Sequence, residues 1–69
     1  MRVLSIDPGI RTTGFGIIDS KSSSLSLIAC GTINPKVSDN LPLRLKHLFE
    51  EVELIINKFS PDIFSIEDM

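Results

Sequence analysis

An apolar stripe with helical spacing near the carboxyl end of the chain most constrains what it can fold into. Apolar side chains recur there at steps of three and four residues, as on the buried face of an amphipathic helix. The stripe consists of Leu41, Leu45, Leu48, Val52, Ile55 and Phe59, widened by Phe49 and Ile56. Arg44, His47 and Glu51 fall on the opposite, polar side, so the pattern predicts one helix lying on a sheet.

Both ends of this helix carry recognisable signals. Asp39 or Asn40 can cap its amino end, and Pro42 falls in the first turn, where a missing N–H is tolerated. Pro61 follows Ser60 and cannot continue the helix. A short apolar run, residues 63–66, comes next and predicts a strand.

Three earlier segments also predict strands. Residues 3–6 form an apolar run typical of a strand buried on both faces. Residues 12–19 are rich in β-branched and aromatic side chains, and residues 25–33 alternate loosely between apolar and polar. The serine-rich segment 19–24 predicts a hairpin loop between the last two, which are then antiparallel.

The order strand, helix, strand predicts a parallel crossover that lays the last strand beside the first. Parallel neighbours end at the same edge of a sheet, and these two end in Asp7 and Glu67. Adjacent strands lie about 4.8 Å apart, so the two carboxylates could share a cation. We expect Asp68 to point to the other face and to be a solvated charge.

Oxygen ligands of this kind suit Mg²⁺ or Mn²⁺, which share phosphate oxygens with a substrate. The predicted metal ligands and catalytic residues are therefore Asp7 and Glu67. Two-metal phosphoryl chemistry usually takes more carboxylates than these two. We therefore expect the chain to lack at least one ligand.

The segment after the first strand reads Asp7-Pro8-Gly9, which is typical of a tight turn with φ > 0 at the glycine. Gly14 and Gly16 then stand two apart, on one face of the second strand. Two interpretations of this pair remain open. The glycines could mark a bulge or close packing, or they could form a bare floor for a ligand beside Asp7.

Composition limits the remaining possibilities. A formal net charge of −2 gives no basic surface for a polyanion, so DNA contacts would lie mostly elsewhere. The single cysteine, Cys30, has no partner for an internal disulfide and is expected to pack as a small apolar side chain. No segment approaches the roughly 20 apolar residues of a membrane span, so we expect a cytoplasmic protein without membrane contact.

Five blocks of the sequence, in order and at the right spacing, resemble the amino-terminal part of the RuvC family of bacterial Holliday-junction resolvases. The blocks are Ile6-Asp7-Pro8-Gly9, Thr13-Gly14-Phe15-Gly16, Ala29-Cys30-Gly31, Leu43-Arg44-Leu45, and Pro61 through Glu67. The resemblance covers essentially the whole chain. Ser5 and Phe15 depart mildly from the family, which often has Gly and Tyr there.

The resemblance implies an α/β, RNase H-like fold, here three antiparallel strands, one amphipathic helix and a fourth strand parallel to the first. It implies Mg²⁺-dependent nicking of four-way junction DNA, a homodimer in the full-length parent, and partnership with RuvA and RuvB. Asp7 and Glu67 match the first two catalytic carboxylates of the family. Residues 1–69 are then the amino-terminal part of a single nuclease domain, about two-fifths of a family member.

Two other functions remain open at this point. An actin-like or sugar-kinase ATPase lobe also pairs a strand-end Asp with Gly and Thr near a hairpin, but it leaves Glu67 without a role. The chain could also be a non-catalytic remnant, inactive because metal ligands are missing. The YqgF-type nucleases, which share the RNase H-like fold, match the same residues less well.

Overall fold

The computed structural model describes residues 1–9, 12–34 and 40–66. Four strands and one helix follow one another in the order β1, β2, β3, α1, β4. Their bounds are Arg2–Asp7 for β1, Thr13–Lys21 for β2, Ser24–Ile33 for β3, Leu41–Phe59 for α1 and Ile63–Ile66 for β4.

The strands form one mixed sheet in the order β3-β2-β1-β4. β2 is antiparallel to both β1 and β3, whereas β4 runs parallel to β1. The predicted fold class is therefore confirmed, including the parallel crossover through the helix.

The hairpin between β2 and β3 is tighter than predicted. The strands continue to Lys21 and resume at Ser24, so the turn contains only Ser22 and Ser23 instead of the whole segment 19–24. Ser22 adopts the left-handed backbone region, with φ 53°, and the Ser24 hydroxyl donates to the carbonyl of Lys21 at 3.1 Å. Local hydrogen bonding in the turn thus lets both strands extend to within two residues of each other along the chain.

A β-bulge explains why the alternation in β3 is loose. Ile17 pairs with Ala29, but the next residue, Ile18, pairs with Leu27, so Ile28 is an extra residue on β3. An extra residue changes which face the following side chains occupy. The period-two pattern therefore breaks in the middle of the strand.

The core is small and lies on one face of the sheet. Leu4 pairs directly with Ile17, and both side chains are fully buried; Thr13 pairs with Ile33, and both are almost fully buried. Arg2 shares this face with Leu4 and reaches the end of α1, since its Nη1 donates to the carbonyl of Phe59 at 2.9 Å.

The helix is confirmed, and Asn40 is its N-cap, because its Oδ1 accepts the backbone N–H of Leu43 at 3.1 Å. The alternative cap, Asp39, lies outside the described residues. Ser60 closes the other end in the left-handed region, and its N–H donates to the carbonyl of Ile56 at 2.8 Å.

The predicted apolar stripe of α1 is covered only in part: Leu48, Val52, Ile55, Ile56 and Phe59 are half-buried, in agreement with the prediction. Leu41 and Leu45, assigned to the buried stripe, are 64% and 55% exposed, whereas Arg44, His47 and Glu51 are half-buried. The spacing of apolar residues defines an apolar face but not how far it is covered, which depends on where the helix lies over the strands.

Burial of apolar surface is limited throughout the described residues. Their radius of gyration is 13.0 Å, against about 11 Å for a typical compact domain of this length. Cys30, which we expected to pack, is exposed, because nothing described covers its face of β3. No helix in the described part of the chain is long and apolar enough to cross a membrane.

The first prediction concerns the small core. We expect Leu4→Ala to destabilise the fold by about 2–5 kcal/mol, because it opens a cavity where little else is buried. Ile17→Val should cost only about 0.5–1.5 kcal/mol. Leu25→Ala, at a side chain that is 75% exposed, is the matched control and should change stability by less than about 0.5 kcal/mol. Urea denaturation followed by circular dichroism measures all three, and equal losses for Leu4 and Leu25 would contradict the assigned core.

A second prediction concerns the stability of the fold at acidic pH. The guanidinium of Arg2 forms two hydrogen bonds with the carboxylate of Asp19, at 2.8 and 2.9 Å. These bonds are the largest influence on the pKa of Asp19 and lower it below its ordinary value of 3.8. Partial desolvation of the carboxylate acts in the opposite direction, and the nearby positive charges lower the pKa further. The stabilisation of the fold by the pair of Arg2 and Asp19 is therefore complete above pH 3.8, and it is lost as the pH falls through the lowered pKa of Asp19.

We expect Asp19→Asn to remove part of the acid-dependent loss of stability below pH 4. Glu53→Gln, at an exposed helix position, is the control and should leave the profile unchanged. Thermal melts between pH 2 and pH 6 provide the measurement. An Asp19→Asn protein with the same slope below pH 4 as the unsubstituted chain would show that the pair does not act in this way.

Candidate functional site

Asp7 is the last residue of β1, and its side chain is exposed at the edge of the sheet. Its cross-strand neighbour on β2 is Gly14. Only Leu4 of β1 is fully buried, so the strand is not covered on both faces as predicted, but it does end by presenting a carboxylate to solvent.

The turn after Asp7 depends on Gly9, though not for the expected reason. No described glycine has a positive φ. A Cβ at Gly9 would instead collide with the backbone carbonyl oxygen of Thr12. The chain thus needs glycine here for close approach of two backbone segments. Ile10 and Arg11 lie outside the described residues.

Gly14 and Gly16 form a bare floor beside the carboxylate. Gly14 lies opposite Asp7 and Gly16 lies opposite Ser5, so all four share the face of the sheet away from the core. A Cβ at either glycine would make only ordinary contacts, the nearest at 3.9 Å and 4.0 Å. No described element packs against them, and the bulge lies further along the strand, between Ile17 and Ile18.

These residues line an open depression of about 340 Å³. Its lining consists of Ser5, Asp7, Gly14, Phe15, Gly16 and Gly31. Of the two interpretations left open by the sequence, the geometry favours the ligand floor. A chain backbone or a phosphate group can approach Asp7 across it without displacing a side chain.

Small side chains continue across the sheet, a feature that the sequence analysis missed. Ser5 pairs with Gly16 on one side and with Ser65 on the other, and Gly16 pairs with Cys30. The four strands thus contribute one row of small residues next to Asp7. Only the strand register reveals the row, because its members are far apart in sequence.

A second missed feature is a polar network at the same edge. The hydroxyl of Thr12 donates to Oδ1 of Asn34 at 2.9 Å, and Nδ2 of Asn34 donates to the hydroxyl of Thr32 at 3.1 Å. The network joins the start of β2 to the end of β3. It therefore orders the backbone near the turn that follows Asp7.

The other predicted ligand, Glu67, lies outside the described residues, as does Asp68. The last described pair between the parallel strands is Ile6 with Ile66. Within residues 1–9, 12–34 and 40–66, no group of three or more His, Cys, Asp or Glu side chains could hold a metal ion. Of the predicted pair, the structure therefore locates only Asp7, whose carboxylate oxygens are ligands of the kind that a hard cation prefers.

Comparison with known proteins identifies relatives of the chain. The family described as crossover junction endodeoxyribonuclease RuvC matches residues 3–69. The RuvC proteins of Variovorax paradoxus and Cupriavidus pinatubonensis are 48% and 46% identical to it, each over 97% of this chain. The chain spans 38% and 37% of the length of these two relatives.

Solved structures agree at the level of the fold. Thermus thermophilus RuvC bound to a Holliday junction substrate superimposes with a TM-score of 0.89 at 23% identity, covering 99% of this chain and 42% of that one. An Aquifex aeolicus Ppx/GppA phosphatase also superimposes, with a TM-score of 0.72 at 21% identity, over 96% of this chain and 25% of that one. Similarity at this identity extends to the fold alone, whereas the sequence match over residues 3–69 shows that the chain belongs to the RuvC family of crossover junction endodeoxyribonucleases.

Proposed function

We propose that this chain supplies the first part of the catalytic centre of a metal-dependent endonuclease that nicks four-way DNA junctions. The observation that carries the proposal is Asp7, exposed at the end of β1 over the glycine floor, with β4 running parallel to β1 toward the same edge. Family membership supports the reaction, and the relatives' name, crossover junction endodeoxyribonuclease, supports the substrate.

Glu67 is proposed as the second carboxylate. Ile6 pairs with Ile66, the last described pair of β1 and β4, and the same register carried one residue further would set position 67 beside Asp7. Two carboxylates this close repel one another unless a cation compensates them. This electrostatic requirement supports a shared divalent cation, Mg²⁺ or, in its place, Mn²⁺.

The residues of the chain have distinct tasks in this proposal. Bound Mg²⁺ supplies positive charge that stabilises the charge developing on a phosphodiester during hydrolysis. Asp7 and Glu67 hold the cation at the edge of the sheet, and the floor of Gly14 and Gly16 admits the DNA backbone to it. The hydroxyl of Ser5 lines the same depression and is a hydrogen-bond donor available to a phosphate oxygen.

Residues 1–69 form the amino-terminal part of one RNase H-like nuclease domain, which acts as a homodimer in the cytoplasm with RuvA and RuvB. The net charge of −2 supports a division of labour in which other segments supply most of the basic DNA-binding surface. Because two-metal hydrolysis needs further carboxylates, we expect the chain alone to be inactive.

A hybrid resolvase tests the role of Asp7. In it, residues 1–69 replace the matching part of the Variovorax paradoxus relative. We expect the hybrid to nick a synthetic four-way junction with Mg²⁺, and Asp7→Asn to lower the rate by about 100-fold or more, because a metal ligand is lost. Junction binding, measured by gel shift, should change little, since other residues hold the phosphates.

Glu53→Gln, on the exposed side of α1, is the matched control and should retain full activity. Asp7→Asn that abolishes junction binding together with nicking would mean that Asp7 is structural. Metal-dependent cleavage by the 69-residue chain alone would contradict the expectation that catalysis needs more carboxylate ligands than Asp7 and Glu67. Tight ATP binding without junction binding would favour an ATPase.

The floor gives a separate prediction. Gly14→Val adds a side chain that the backbone accommodates, because a Cβ there meets nothing closer than 3.9 Å, and valine favours strands. We expect the hybrid to fold normally but to nick about 10- to 100-fold more slowly, since the branched side chain obstructs approach to Asp7. Ser26→Val, exposed on β3 and outside the depression, is the control. Unchanged nicking by Gly14→Val would rule out the floor as the path of approach.

A further inference from the structure

Arg2 lies at the opposite end of β1 from Asp7, and its side chain contacts two other elements, β2 and α1. Its Nε and Nη2 donate to the two carboxylate oxygens of Asp19 on β2, at 2.8 and 2.9 Å. Its Nη1 donates to the carbonyl of Phe59, the last residue of α1, at 2.9 Å. One side chain therefore joins β1 to β2 and to the end of the crossover helix.

The backbone of Arg2 is paired with Asp62, the residue before β4. The N–H of Arg2 donates to Oδ2 of Asp62, and the N–H of Asp62 donates to the carbonyl of Arg2, both at 2.7 Å. The very next pair across the two strands is Val3 with Ile63. The reciprocal bonds thus stand at the entrance of β4 and define where it begins to pair with β1.

Side-chain packing does little to fix the register of β4 against β1. The strand has four residues, and all of them are exposed, among them Phe64 at 57% and Ile66 at 67%. Register is weakly specified where a strand buries neither face, and a slip of one residue moves every side chain to the opposite face.

The short connection between α1 and β4 also restricts where β4 can begin. Ser60 ends α1 with φ 48°, and only Pro61 and Asp62 separate it from the strand. Because the side chain of Arg2 holds Phe59 and its backbone holds Asp62, both ends of this connection are attached to the same residue of β1.

We infer that Arg2 and Asp62 are positioning residues that set the register of β4, and through it bring Glu67 opposite Asp7. The inference rests on the proposed metal role of Asp7 and Glu67. Arg2 and Asp62 are separated from that site by the length of β1, and neither touches the cation or the substrate. They act by keeping the two carboxylates on the same face of the sheet.

Asp62→Ala and Asp62→Asn, made in the 69-residue chain, test the inference. The alanine removes the acceptor for the N–H of Arg2, whereas the amide oxygen of asparagine retains it. NMR contacts between the backbones of Ile6 and Ile66 report the register, and Mn²⁺-induced broadening of the Asp7 amide reports metal binding. Glu53→Ala is the control for loss of a surface carboxylate.

We expect Asp62→Ala to lose the contact between Ile6 and Ile66 and to weaken Mn²⁺ binding about tenfold, because a slip of β4 by one residue moves its side chains to the opposite face of the sheet. Asp62→Asn should retain both. Retention of the contact and of full Mn²⁺ affinity by Asp62→Ala would overturn the inference. Absence of any Mn²⁺ effect at Asp7 in the unsubstituted chain would instead contradict the proposed function, and the NMR contacts would still test the register.

The hybrid resolvase covers the case in which Asp62→Ala fails to fold as a separate chain. In the hybrid we expect Asp62→Ala to lower kcat for nicking about tenfold while KM for the junction stays constant, and Asp62→Asn to restore kcat. Loss of affinity with constant kcat would contradict a positioning role, because carboxylate placement affects the chemical step and not junction binding.

Discussion

Parallel hydrogen bonding between β1 and β4 places the first and last strands of this chain side by side. The crossover through α1 is what makes that pairing possible, since parallel neighbours need a connection long enough to return to the same end of the sheet. Because Val3 begins the pairing with Ile63 and Ile6 ends it with Ile66, the edge that carries Asp7 is also the edge toward which β4 runs. The core and the depression, by contrast, are built by β1, β2 and β3, and no residue of β4 is buried or lines the depression.

The two faces of β1 serve different purposes. Leu4 faces the core and pairs with Ile17, while Ser5 and Asp7 face the open side, where their partners on β2 are both glycines. Because side chains alternate along a strand, the six residues of β1 supply both a core side chain on one face and an accessible carboxylate on the other. The stable side is small, with few large side chains buried, so polar contacts such as those of Arg2 contribute to holding helix and sheet together.

Much of the fold could be predicted from local patterns. The apolar spacing of α1, its cap at Asn40 and its end at Ser60 agree with the structure, as do the four strands and the parallel crossover. The errors arose where distant residues decide the outcome. The face that α1 turns to the sheet leaves Leu45 exposed and half-buries His47, because the helix position over the strands is not encoded in its own periodicity.

The sequence by itself determined that a carboxylate stands at the end of β1, at one edge of the sheet. Asp7 follows an apolar run and precedes a turn, and the order strand, helix, strand predicts which edge it occupies. Only the tertiary structure decided what surrounds that carboxylate. The row from Cys30 through Gly16 and Ser5 to Ser65 exists because of strand register, and the pairing of Arg2 with Asp62 joins residues sixty positions apart. Register and long-range hydrogen bonds depend on the whole assembled sheet, so no local pattern specifies them.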